Sequence, residues 1–147
     1  MSRAPPKTRI SNEQYNLLAN RRQAFDALLW QTPVLSLTAQ AFLFTIALSD
    51  GNTVVARAIS AMLALIVALA SLQLMAKHRY HEKACSLLLQ IHEEANDLHP
   101  VHSGSTGGKR PFYLRLSSYL VWMATLWGFA FAAALVLLSV IRGYEWF

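Results

Sequence analysis

The sequence predicts an all-α membrane protein: three transmembrane helices, an N-terminal interfacial amphipathic helix, and a second span that continues as a cytoplasmic helix. Three observations carry that prediction. Charged residues make up only 14% of the 147 residues against a hydrophobic share of 54%, whereas about 25% are charged in an ordinary soluble domain. The scarcity is also concentrated. The stretches 27–49, 54–76 and 116–141 contain one charged side chain between them, Arg57. At about 1.5 Å per residue each is long enough to cross about 30 Å of hydrocarbon. Finally, the cations are asymmetric: eleven Lys and Arg precede span 1 or lie between spans 2 and 3, and only Arg57 and Arg142 fall on the other side. Positive charge stays inside, so the N-terminus and the long loop are expected in the cytoplasm and the C-terminus outside it, periplasmic or extracellular.

The chain reads as a single membrane domain. Residues 1–10 hold two prolines and three cations and form a tail near the headgroups. Residues 11–26 open with Ser-Asn-Glu-Gln, a capping box at a helix start, and repeat Tyr15, Leu18 and Phe25 at helical spacing, as an interfacial helix would. A cleaved signal peptide is not expected, because its apolar core would begin almost at once and a long polar segment comes first. Span 1 covers 27–49, with Pro33 expected to bend it. Ser49-Asp50-Gly51-Asn52 is a turn signal, so span 2, residues 54–76, returns antiparallel. No Gly or Pro occurs from Val54 to Leu98, and the helix is expected to run on through 77–98 as a stalk. Residues 99–115 contain Pro100 and a Ser-Gly run and read as a loop. Span 3 covers 116–141, followed by a short tail, 142–147, whose Tyr144, Trp146 and Phe147 suit an interfacial anchor.

Small residues recur every fourth position in span 2 (Ala56, Ser60, Ala64, Ala68) and in span 3 (Ala124, Gly128, Ala132). Such ladders let helix backbones approach closely, and they are the expected oligomer-packing surfaces. Span 1 places Gln31, Thr38 and Thr45 seven residues apart on one face. Polar groups in hydrocarbon need partners, so this stripe either lines a polar path or binds helices together. On the stalk, Tyr80, Ala84, Leu87, Ile91 and Leu98 form an apolar face that something must cover, either a neighbouring copy, the interfacial helix or a cytoplasmic protein partner. Arg79, Lys83, Gln90, Glu93, Glu94 and Asp97 form the solvated face opposite.

Beside the apolar face runs His78, His81, Cys85, His92 and His99. Imidazole and thiolate at i and i+4 can share one zinc ion, so His81 and Cys85, with His78 or His92, are the candidate metal ligands. Histidines that titrate near neutral pH, or plain semi-polar flank residues, are the other readings of the same stripe. No catalytic set accompanies it. The acids are Glu13, Asp26, Asp50, Glu82, Glu93, Glu94, Asp97 and Glu145, and none falls inside a span, so an enzyme is not expected. The Gly104–Lys109 run is one residue short of a phosphate-binding loop and follows no strand. The pI near 9.7 fits topology and contact with a lipid bilayer; a nucleic-acid partner is not expected, because the cations are scattered without interleaved aromatics.

The segment RRQAFDALLWQTPVLSLTAQAFLFTIAL at 21–48, with LMAKHRYHE at 74–82, resembles a group of uncharacterised bacterial three-span membrane proteins, which implies a bacterial inner-membrane location and no assigned activity. The layout of residues 11–98, an interfacial helix followed by a tight hairpin and a long cytoplasmic helix, resembles the SLATT-type effector domains of bacterial conflict systems. That resemblance implies a homo-oligomeric effector with channel-like, membrane-permeabilising action in antiviral defence, although the third span departs from the two-span plan. The alternative expectation is a non-conducting adaptor or regulatory subunit that docks a cytoplasmic partner through 77–98.

Overall fold

The computed structural model describes residues 11–97 and 117–143, and every regular element among them is helical: α1 Asn12–Ala47, α2 Val54–Ala95 and α3 Ser118–Arg142. All three are long and apolar enough to cross a membrane, the mark of a multi-pass membrane protein.

The start of α1 is fixed by the capping box. The Gln14 amide donates to Ser11 Oγ at 3.3 Å, and the Ser11 amide donates to Gln14 Oε1 at 2.9 Å. The helix then runs unbroken through Pro33, whose ring is buried. Sequence reasoning divides this length into an interfacial helix and a span, whereas the structure makes it one helix of 36 residues. Its N-terminal half is held along its length by the far half of α2, which removes any need for a break. At about 1.5 Å per residue α1 is about 54 Å long, well beyond a hydrocarbon core of about 30 Å.

The turn after α1 satisfies that helix's last carbonyls with side chains. Asn52 Nδ2 donates to the Ile46 carbonyl at 3.1 Å, and Arg57 Nε donates to the Ala47 carbonyl at 3.1 Å. Arg57 also lies 3.6 Å from Asp50. Bare carbonyls at a helix end are costly where water is scarce, and these two side chains remove that cost.

Thr53 caps α2, its hydroxyl accepting from the Ala56 amide at 3.2 Å. With no internal Gly or Pro the helix extends for 42 residues. It stops at Ala95, where Asn96 Nδ2 donates to the His92 carbonyl at 2.8 Å and Asp97 turns to a left-handed φ of 53°. The stalk is therefore shorter than the expected 77–98, and Leu98 and His99 lie outside the described residues. The third helix ends at Gly143, whose φ of 67° suits a residue without a side chain.

The central helix is α2. It packs along α1 over most of its length and against α3 on another side, while α1 and α3 barely meet. The buried residues of α1 in this part are Leu29, Pro33, Ser36, Gln40 and Ala47, and those of α2 include the small residues Ser60, Ala61, Ala64 and Ala68. The approach is close enough for Gln40 Nε2 to donate to the main-chain carbonyl of Ala64 at 2.8 Å. Against α3, Leu72 and Met75 pack on Leu126, with Tyr119, Trp122 and Met123 around them.

Candidate functional site

Beyond the apolar part of the bundle, α1 and α2 form a two-helix stalk. Its interior is polar. Glu82 is 7% exposed and takes the Arg79 guanidinium at 2.7 Å on one carboxylate oxygen and Arg22 Nε of α1 at 3.5 Å on the other. Glu93 is 1% exposed and accepts from the Tyr15 hydroxyl at 2.9 Å. Burial, followed by the hydrogen bond to Glu93 and its charge, raises the Tyr15 phenol above its usual range, so Tyr15 stays a donor throughout the physiological range.

This arrangement corrects the sequence expectation for the stalk. Glu93 was expected on the solvated face and is instead buried. The residues that α1 covers are Glu82, Cys85, Leu89, His92 and Glu93, and they include two of the histidine–cysteine stripe. The apolar set is left outside: Tyr80 is 71% exposed, Leu87 58% and Ile91 53%, with Leu88 beside them at 51%. The physical reason is pairing. The N-terminal half of α1 brings Tyr15, Arg22 and Phe25, which match carboxylates and imidazoles better than they match aliphatic side chains.

The histidines are absorbed into that contact. The His81 ring stacks on Phe25 at 5.2 Å and 19°, and His78 approaches the same ring at 6.2 Å. His92 lies against Tyr15 at 5.2 Å and within 3.2 Å of Asn96 Nδ2. Burial, then the charge of Lys77 and that of His81, lowers His78 below the ordinary imidazole range, and its Nδ1 is buried without a partner. Among the described residues no three His, Cys, Asp or Glu side chains gather to hold a metal. Within one copy, His81 and Cys85, with His78 or His92, are thus not gathered into a set of three ligands among the described residues.

In the spans, Gln31, Thr38 and Thr45 point away from α2 and are exposed. Thr38 donates to the Val34 carbonyl at 3.1 Å and Thr45 to the Ala41 carbonyl at 2.8 Å, so both hydroxyls are satisfied within their own helix. The polar residues of α1 that are buried in the bundle are Ser36 and Gln40, which lie off the Gln31–Thr38–Thr45 stripe. Ser36 Oγ and Gln40 Oε1 are buried with no hydrogen bond. Their signal was present in the spacing, since 29, 33, 36 and 40 make one helical face.

The small-residue ladders separate. Ser60, Ala64 and Ala68 are buried inside the chain and Ala56 partly so. On α3, Ala124 and Gly128 are exposed and Ala132 is intermediate. A Cβ on Gly128 would meet nothing within 4 Å. The ladder of α2 is thus used for packing within one copy, and that of α3 is left facing outward.

Comparison with protein-family profiles, with curated proteins and with solved structures gives no match to this chain.

Proposed function

We propose that the protein is a homo-oligomeric membrane protein that assembles through the outward face of α2 and acts as a non-conducting membrane adaptor or regulatory subunit. The carrying observation is the exposed stripe Tyr80, Leu87 and Ile91 on the side of the stalk away from α1. With Ala84 these residues follow the alternating four- and three-residue spacing of a coiled-coil seam. The same edge carries the exposed Ile59, Leu63 and Ile66 inside the span. Copies inserted in the same direction would present both stretches at matching heights, which makes a second copy the fitting occupant. Covering Tyr80, Leu87, Leu88 and Ile91 would contribute roughly 3–6 kcal/mol per stalk before ordering costs. The cation asymmetry supports a cytoplasmic stalk and N-terminus, and the resemblance to bacterial three-span proteins supports a bacterial inner membrane.

A second reading, the channel-like effector, is favoured by Gln31, Thr38 and Thr45, which sit on the face of α1 away from α2. The two readings need different assemblies, because the two stripes occupy opposite edges of the α1–α2 pair. A seam along α2 leaves the threonines on the lipid perimeter, where their internal hydrogen bonds make them cheap. A polar path needs α1 innermost, which frees the stalk stripe for a cytoplasmic partner.

Disulfide trapping in membranes separates them. In a Cys85→Ser background, Leu87→Cys should give a cross-linked dimer and Thr38→Cys should not, and proteoliposomes should hold an ion gradient. Cross-linking at Thr38 with gradient collapse would replace the adaptor with the channel.

A further inference from the structure

A cavity of about 190 Å³ lies where all three helices meet at the base of the stalk. Asp26 and Trp30 of α1, Met75 and Arg79 of α2, and Tyr119 and Trp122 of α3 are among its walls. Three features define what it can hold. Its level is that of the bilayer boundary, because tryptophan and tyrosine rings favour the headgroup region and α2 changes there from the buried Met75 to Lys77 and Arg79. Its size is below the roughly 300 Å³ at which pockets enclose drug-sized ligands, so it suits a headgroup and not a whole molecule. Its charge is split: Asp26 and Arg79 both line it, yet they are not within ion-pair distance of each other.

Each charge has capacity to spare. Arg79 donates from one terminal nitrogen to Glu82 at 2.7 Å and lies over the Tyr119 ring at 5.9 Å. A guanidinium carries five N–H donors in a fixed fork, so others remain. The Tyr119 and Glu82 contacts also restrict where the fork can point. Among the described residues the Asp26 carboxylate has no hydrogen bond or ion pair. An anion alone would meet Asp26 unfavourably, and a cation alone would meet Arg79 unfavourably. A ligand with both charges a few ångströms apart meets neither penalty.

We infer that this cavity binds the headgroup of a zwitterionic phospholipid of the phosphatidylethanolamine class, with its phosphate toward Arg79 and its primary ammonium toward Asp26. An ammonium with N–H donors can hydrogen-bond the carboxylate, which a quaternary amine cannot, so ethanolamine is selected over choline. The acyl chains would leave the cavity along the apolar surface beside Trp30 and Trp122.

Tryptophan fluorescence of the full chain in a nonionic detergent tests this, since two tryptophans line the cavity. The probes are short-chain phosphatidylethanolamine, phosphatidylcholine and phosphatidylglycerol, and free phosphoethanolamine. The ethanolamine lipid should give a saturable change, with about fivefold weaker binding of the other two lipids. Asp26→Asn should abolish that preference while leaving phosphatidylglycerol binding intact. Arg79→Gln should weaken all three lipids, with circular dichroism checking that the helices persist. Equal affinity for the three lipids in the parent chain, or an Asp26→Asn variant that keeps the preference, would overturn the inference. Free phosphoethanolamine binding as tightly as the lipid would overturn the lipid assignment in favour of a soluble phosphate ester.

Discussion

Glu82 is the side chain on which most of the stalk's electrostatics converge, with one arginine from each helix. Removing its charge leaves both guanidiniums facing a neutral group. Arg22 and Arg79 are about one-third exposed, so solvent screens much of that loss, and Glu82→Gln should cost about 1–2 kcal/mol, read as a lowered midpoint of thermal unfolding followed by circular dichroism. His78 adds a pH dependence. Its folded value is lowered by burial, Lys77 and His81, so the unfolded chain takes up a proton first as pH falls. The contribution of His78 is complete above about pH 6.5 and is lost as pH drops through the lower folded value. The α1–α2 contact around Phe25 should therefore loosen on acidification. Hydrogen exchange in the stalk at pH 7.5 and pH 5 should show this, and a His78→Phe variant should flatten the response.

Helix α3 is held by few large contacts, chiefly Leu126 against Leu72 and Met75. Leu126→Ala should cost about 2–5 kcal/mol as a buried cavity and release α3 from α2 before the α1–α2 pair is affected. Protease sensitivity around α3 would report it. Gly128, with open space where a Cβ would stand, behaves differently. Gly128→Ala should stabilise the helix by up to about 1 kcal/mol, seen in the same thermal assay. At this scale the sequence was a good guide to what each segment is. Three apolar stretches, the capping box, the Asp50-Gly51 turn and the unbroken length of α2 were all readable, because they depend on local chemistry and length. Which face of each helix turns inward was not readable. Tyr80, Leu87 and Ile91 made the obvious apolar face, and nothing local showed that Tyr15, Arg22 and Phe25, some sixty to eighty positions away, would select the glutamates and histidines instead. The Asp26–Arg79 cavity was hidden for the same reason, since its charges belong to different helices.

For the whole molecule, the adaptor reading makes the stalk stripe the deciding surface. Leu87→Glu with Ile91→Glu should convert the oligomer to a monomer in detergent by light scattering, while helicity stays unchanged, because both side chains are more than half exposed in one copy. The length of α2 carries a further consequence. From His78 to His92 is fourteen residues along one continuous helix, or about 21 Å. The Debye length at physiological salt is about 8 Å, so the two ends of the stalk occupy different ionic worlds. At an anionic bilayer with a surface potential of about −30 mV, the local proton concentration at the foot is about threefold that of bulk solution, equivalent to about 0.5 pH unit. His78, at the foot, takes up its proton from that local concentration, so its response to acid follows the charge of the lipid beneath it. The rigid length of α2 thus carries the far end of the stalk beyond the reach of the membrane's field, and a change in membrane charge would be felt at the foot alone.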